Sequence, residues 1–130
     1  MSDLRAGPWT LPIGRQANIY LKAQTAAIAA TTLATPPKGL YRVSLALALT
    51  SVTDVPAQVT GNILSKGDNT VVVTQSLSSL VSDSLRIAQD SFICECDGVA
   101  ALQYSVTLTQ PGDPPTYTLR IVVEQLSALT

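Results

Sequence analysis

The sequence predicts an all-β protein, an antiparallel sandwich or barrel of about seven or eight short strands. Two long segments alternate apolar and polar residues, and residues that favour turns separate the shorter segments between them. A side-chain period of two is typical of a strand with one buried face, because successive side chains point to opposite sides of a sheet. No long helical pattern lies between the strands, so parallel βαβ units are not expected.

The two long alternating segments, 39–50 and 117–124, supply the clearest core positions. In the first segment the apolar face consists of Tyr41, Val43, Leu45, Leu47 and Leu49. In the second segment it consists of Tyr117, Leu119, Ile121 and Val123. We expect both faces to pack in the interior of the sandwich.

The segments that precede and follow residues 39–50 are less regular. Residues 19–35 are rich in Ala and Thr and are predicted to be extended, since the β-branched residues among them favour strand over helix. Residues 57–64 form an amphipathic strand, and the three valines at 71–73 suggest a short strand buried on both sides. Residues 76–89 are expected to form a loop, which could include one helical turn, followed by a short strand over 85–88.

The dipeptide Asp97-Gly98 predicts a two-residue hairpin that joins strands over 91–96 and 99–109. In such a hairpin Phe92 and both cysteines would lie on the face opposite Leu102. Either a bulge shifts the register by one residue, or both faces of the ribbon are buried and one of them forms a subunit contact.

Composition narrows the class of protein. The 130 residues suit one domain, and only 13% of them are charged, against about 25% in ordinary soluble domains. A surface so poor in charge is either covered by other subunits or is the neutral polar surface of a monomer. The net charge of −1 and the scattered basic residues predict no nucleic-acid partner, and no segment predicts a membrane span. The N-terminus lacks a secretory leader, so synthesis and folding are expected in a reducing cytoplasm.

Catalytic chemistry is not indicated by the sequence. Without histidine, Ser-His-Asp and Cys-His arrangements are excluded, and the glycines form no phosphate-binding loop. Cys94 and Cys96 lie on one side of a strand, where two thiols alone do not make a metal site. We expect two buried thiols, no cofactor, no metal and no enzymatic activity.

Residues 1–18 are predicted to form an extended N-terminal arm, and residues 19–130 the β-sandwich domain. Glycines and prolines interrupt the arm, and its apolar residues are Trp9, Leu11 and Ile13. A segment this short cannot bury itself, so it should dock on its own domain, on a neighbouring subunit or on a larger scaffold.

Three charged residues lie opposite the predicted core faces of the long strands, namely Arg42, Arg120 and Glu124. They form either a solvated face with cross-strand pairs or a polar ring at a subunit interface.

The segments 117–126, 39–44 and 97–105 resemble strands of small tailed-bacteriophage virion proteins. The resemblance implies a jelly roll of the tumour-necrosis-factor or C1q type that assembles as a homotrimer. It also implies a capsid cement or decoration protein, which lies on the capsid exterior and bridges copies of the major capsid protein, with the arm as capsid contact.

Two alternatives remain open at this level. One is the head domain of a phage fibre that binds a host surface receptor through loops at Asp54, Asp68 and Asp113. The other is a small carbohydrate-active or ligand-binding sandwich, which requires a concave site with convergent polar groups.

Overall fold

The computed structural model describes residues 15–67, 71–109 and 113–128, and it confirms the all-β prediction. These residues form nine strands and no helix. The strands are β1 (Arg15–Gln24), β2 (Ile28–Ala34), β3 (Gly39–Leu49), β4 (Gln58–Lys66), β5 (Val72–Ser76), β6 (Leu80–Val81), β7 (Ile87–Cys96), β8 (Leu102–Leu108) and β9 (Tyr117–Ala128).

The strands pair as two antiparallel sheets. The first sheet has the order β1-β9-β3-β7, and the second has the order β2-β8-β4-β5 with β6 paired to β4. Consecutive strands lie in different sheets, except that β4, β5 and β6 all belong to the second sheet. This order of eight longer strands is that of a jelly roll, so the predicted jelly-roll-like sandwich is confirmed.

The core lies between the two sheets, and the long strands supply most of it. The nine predicted core side chains of β3 and β9 are all buried, and none is more than 4% exposed. Across the core the second sheet contributes Val59, Ile63, Leu102, Tyr104 and Val106. β3 and β9 are the two central strands of their sheet, so each has hydrogen-bonded neighbours on both sides.

The predicted hairpin at Asp97-Gly98 is wrong. β7 pairs with β3, whereas β8 pairs with β2 and β4, so the turn carries the chain from one sheet to the other. The Asp97 carboxylate accepts hydrogen bonds from the N–H groups of Val99 and Ala100, both at 2.8 Å, and Gly98 has a φ of 84°. Because the sheets face one core, Cys94 points inward from one side and Leu102 from the other. Neither a bulge nor a subunit contact is needed.

The three valines at 71–73 are not buried. They are 62, 54 and 43% exposed, because β5 is the outermost strand of the second sheet and pairs only with β4. The helical turn considered for residues 76–89 is absent, and the short strand β6 takes its place. The strand expected over 85–88 is the first part of the long strand β7.

The extended segment 19–35 consists of two strands, β1 and β2, with Ala23 at a φ of 54° near the end of β1. β1 begins at Arg15, inside the segment predicted as an arm, because it pairs with β9 from that residue onwards. The remaining arm residues, including Trp9, Leu11 and Ile13, lie outside the described residues.

The sandwich has two distinct ends. At one end, here called the terminal end, β1 starts, β9 finishes and the Asp97 turn crosses between the sheets. At the opposite end, here called the loop end, the described connections are 25–27, 50–57, 77–86 and 113–116. β1 therefore begins at the end opposite these loops.

Replacing Leu47 with Ala should lower the free energy of unfolding by about 2–5 kcal/mol, because Leu47 is fully buried and the cavity left behind cannot collapse completely. The matched control is Leu85→Ala, where the side chain is exposed and the expected change is below about 0.5 kcal/mol. Denaturant unfolding at one fixed protein concentration measures both. Equal losses in the two variants would contradict this assignment of the core.

Candidate functional site: the outer face of the first sheet and the β5–β7 flank

The outer face of the first sheet carries the charged residues that the sequence identified. Its side chains alternate with the core residues on all four strands. Side chains on this face include Tyr20, Lys22, Arg42, Ser44, Ala46, Ala48, Gln89, Ser91, Arg120, Val122 and Glu124. The face is poor in large side chains along β3.

Arg42 and Glu124 are brought together by strand register. They are direct cross-strand partners on β3 and β9, and their side chains form a salt bridge of 3.7 Å. Both side chains are about half-exposed, so the pair contributes at most about 1 kcal/mol. Its value to the molecule lies in neutralising charge at this face rather than in holding the sheet together.

Arg120 lies apart from this pair. Its cross-strand partners are Ala46 on β3 and Tyr20 on β1, and its guanidinium carbon lies 5.0 Å from the centre of the Tyr20 ring. Lys22 also approaches the ring, at 5.2 Å. The sequence analysis missed Tyr20 and Lys22, although their alternation with Ile19 and Leu21 could have placed them on an outer face.

Small side chains leave a depression of about 350 Å³ in the middle of this face. Ser44 and Ala46 of β3 form its floor, Gln89 and Ser91 of β7 line one side, and Arg120 lies at its border. The hydroxyls of Ser44 and Ser91 are 3.0 Å apart and share a hydrogen bond. A depression of this volume can accommodate a few side chains of a partner protein. Its lining residues include no histidine and no cysteine.

The β5–β7 flank is the side of the sandwich where the outermost strands of the two sheets approach each other. Gln75 of β5 spans the gap, since its amide nitrogen donates a hydrogen bond of 3.1 Å to the carbonyl of Ile93 on β7. Five aliphatic side chains are exposed along these strands and at their ends, namely Val71, Val72, Val73, Ile87 and Ile93.

Outermost strands in natural proteins are usually guarded by lysine, proline or a bulge, which prevents pairing with other chains. β5 has none of these, and its pairing with β4 shows no register shift. An unguarded flank with exposed aliphatic side chains is typical of a surface that another protein covers.

The two cysteines are buried in the core and are not joined by a disulfide. Burial, with a smaller contribution from the neighbouring Cys94, raises the pKa of the Cys96 thiol from 9.0 to about 11. Burial also raises the pKa of Cys94, opposed in part by a hydrogen bond with Ser65. Both thiols are therefore protonated at neutral pH and poorly nucleophilic. A small cavity of about 140 Å³ between β5 and β7 reaches Cys94.

The remaining predicted site residues divide between the two ends. The loops of Asp54 and Asp113 meet at the loop end, where the Asp113 N–H donates a hydrogen bond of 2.8 Å to the carbonyl of Val55. Asp68 is outside the described residues, and the strands on either side of it, β4 and β5, meet at the terminal end. The strands that lead into and out of the Asp68 segment therefore meet at the end opposite the Asp54 and Asp113 loops.

No group of three or more Cys, Asp or Glu side chains suited to holding a metal ion occurs within residues 15–67, 71–109 and 113–128. The same residues include no helix with the length and hydropathy of a membrane span.

Comparison with known proteins finds similar solved structures. No protein-family model matches the chain, and no curated protein matches it. A solved structure, "Family 16 Carbohydrate Binding Module-2", aligns with a TM-score of 0.42 and 14% sequence identity, covering 88% of this chain and 86% of its own. At this score and identity the similarity carries no argument about a ligand.

The free energy of unfolding should fall as the pH rises from 9 to 11, since an unfolded thiol loses its proton near 9.0 while the folded Cys96 keeps it to about 11. The double variant Cys94→Ser, Cys96→Ser should fold with some loss of stability and show a shallower decline. Buried Tyr117, whose pKa burial raises to about 12, accounts for part of what remains. Denaturant unfolding across this pH range measures the slopes, and equal slopes would refute the buried-thiol assignment.

Proposed function

We propose that the chain is a non-enzymatic structural protein of a virion, a homotrimeric cement protein on the capsid exterior that bridges neighbouring copies of the major capsid protein. Under this proposal the protein is made in the host cytoplasm and uses no cofactor. The observation that supports it best is the pair of unguarded surfaces on one small domain, the outer face of the first sheet and the β5–β7 flank.

These two surfaces differ in shape, so they suit contact with each other rather than with themselves. The β5 side of the flank presents exposed aliphatic side chains such as Val72 and Val73, and the face presents a depression lined by small residues. A flank-to-face contact is heterologous, and repeated around an axis it either closes into a ring or continues as a filament. Closure by three copies covers every flank and every face.

A charge-poor surface fits this assembly. Only 13% of the residues are charged, and the charged side chains of β3 and β9 on this face are Arg42, Arg120 and Glu124. Arg42 is already paired with Glu124, and Arg120 lies over Tyr20, so burying this face would leave few charges without a partner.

A trimer would also suit the mechanical task of a cement protein. Three identical contacts to a shell give a high effective concentration, so modest individual contacts combine into tight attachment. The aromatic and aliphatic residues of the arm, Trp9, Leu11 and Ile13, are suitable anchors on the shell, since buried tryptophan is a common hot spot of interfaces.

The alternative function is the head domain of a phage fibre that binds a host receptor. One observation favours it: the loops of Asp54 and Asp113 converge at one end of the sandwich. Purified protein should then coat host cells and not capsids, whereas a cement protein coats capsids and not cells.

The double variant Val73→Lys, Ile93→Lys should convert the trimer to a monomer of 13.6 kDa, because burying two ammonium groups in an apolar contact at the flank carries a large desolvation cost. Val99→Lys is the matched control, since Val99 is exposed at the terminal end and away from the flank. Light scattering gives the mass of each. An unmodified protein that is a monomer, or a flank variant that remains a trimer, contradicts the assembly.

Deleting residues 1–14 should leave a folded trimer that no longer binds capsids, because β1 and the core begin at Arg15. The point variant Trp9→Ala tests the anchor with the rest of the arm in place and should weaken binding. Co-sedimentation with capsids, together with the mass of the trimer, measures both. Undiminished capsid binding by the shortened trimer would count against the arm as anchor.

A further inference from the structure

The loop end presents exposed aliphatic side chains that neither the flank nor the arm accounts for. Val52, Val55 and Leu85 are 54, 49 and 63% exposed. They belong to the connections 50–57 and 77–86, which meet at this end of the sandwich. Several aliphatic side chains grouped on neighbouring loops are typical of an interaction surface.

These loops are braced by hydrogen bonds around Ser82, which is fully buried. The Ser82 hydroxyl accepts a hydrogen bond of 2.9 Å from the Ala57 N–H and lies 2.6 Å from the Thr53 hydroxyl. The Ser82 carbonyl accepts a third bond of 3.0 Å from the Thr53 N–H. A third loop joins through the bond from Asp113 to Val55. Loops fixed in this way lose little conformational entropy when a partner binds.

The rim of the loop end is acidic. Asp83 forms a salt bridge of 3.0 Å with Arg86, whereas among the described residues no salt bridge involves Asp54 or Asp113. Two carboxylates therefore remain uncompensated next to the aliphatic side chains. This charge disfavours the same end of a second copy and an anionic membrane, since both would bring like charges together.

We propose that the loop end is a docking surface for a protein whose contact area has an apolar centre and a rim of Lys and Arg. The proposal rests on the proposed function, under which the docking partner is the major capsid protein of the shell. The loop end is then a contact additional to the arm. Both contacts can reach one shell. The 14 residues before β1 span up to about 46 Å when extended. This reach exceeds the length of the sandwich, since the 11-residue strand β3 runs that length and spans about 36 Å.

The test uses the full chain and empty capsids of the phage that encodes it, with co-sedimentation over a range of salt concentrations. The triple variant Val52→Ser, Val55→Ser, Leu85→Ser should bind at least tenfold more weakly, since apolar centres carry most of the affinity of an interface. Val99→Ser is the control, because Val99 is 83% exposed at the opposite end, and it should bind within twofold of the unmodified protein.

Charge variants test the rim separately. Binding should fall in the order unmodified protein, then Asp54→Asn with Asp113→Asn, then Asp54→Lys with Asp113→Lys, and the differences should shrink as salt rises. The single variant Leu85→Ser, which changes one exposed side chain, decides the apolar part if the triple variant does not fold.

The outcomes separate the two proposals. If the unmodified protein does not bind capsids, both the cement function and this docking surface are wrong. If it binds, and the loop-end variants bind as well as Val99→Ser does, only the docking surface is wrong. Cell binding that is lost in the same variants, with capsid binding kept, would assign the loop end to a host receptor and overturn the capsid contact.

Discussion

The packing of two alternating strands against the second sheet is the constraint on which the rest of this molecule depends. β3 and β9 are adjacent and central, and every second side chain on each enters the core. Each fully buried aliphatic side chain contributes roughly 1.5–3 kcal/mol relative to exposure. Because a shift of one residue would turn all of these side chains outward, the same packing fixes the register that sets Arg42 against Glu124.

The jelly-roll order leaves different surfaces at different places, and this separation limits what the protein can do. The first sheet has an outer face with small side chains, and the β5–β7 flank has exposed aliphatic side chains without edge protection. The loops at the loop end are held together by hydrogen bonds to Ser82. The terminal end carries the start of β1 and the end of β9. Distinct surfaces of this kind allow one small domain to contact several neighbours at once.

Several polar side chains of the described residues have structural roles. The buried Ser82 satisfies backbone groups of two other loop residues, and Gln75 joins the edges of the two sheets. Both cysteines behave as small core side chains with raised pKa values. The described residues thus offer no activated nucleophile, and the cavities on the outer face and at the flank are lined by neutral hydroxyls, amides, aliphatic groups and the Cys94 thiol, with isolated charges.

The sequence by itself determined the all-β class and the two long strands with their nine core residues, because a period of two reports directly which side chains face inward. The burial of both thiols was expected from the ordinary behaviour of free cysteine, although the predicted hairpin placed them opposite Leu102. It also placed Arg42, Arg120 and Glu124 on an outer face, but not which two of them meet. That depends on which strands are neighbours, and strand order arises from contacts far apart in the chain.

Only the tertiary structure decided the remaining features. The Asp97-Gly98 turn has the residues of a hairpin, yet it links two sheets, since local turn preference does not specify a partner strand. The valines at 71–73 have the composition of a buried strand, yet β5 is outermost, and burial depends on position within the sheet. The meeting of the Asp54 and Asp113 loops likewise follows from the jelly-roll topology, which places their connections at the same end.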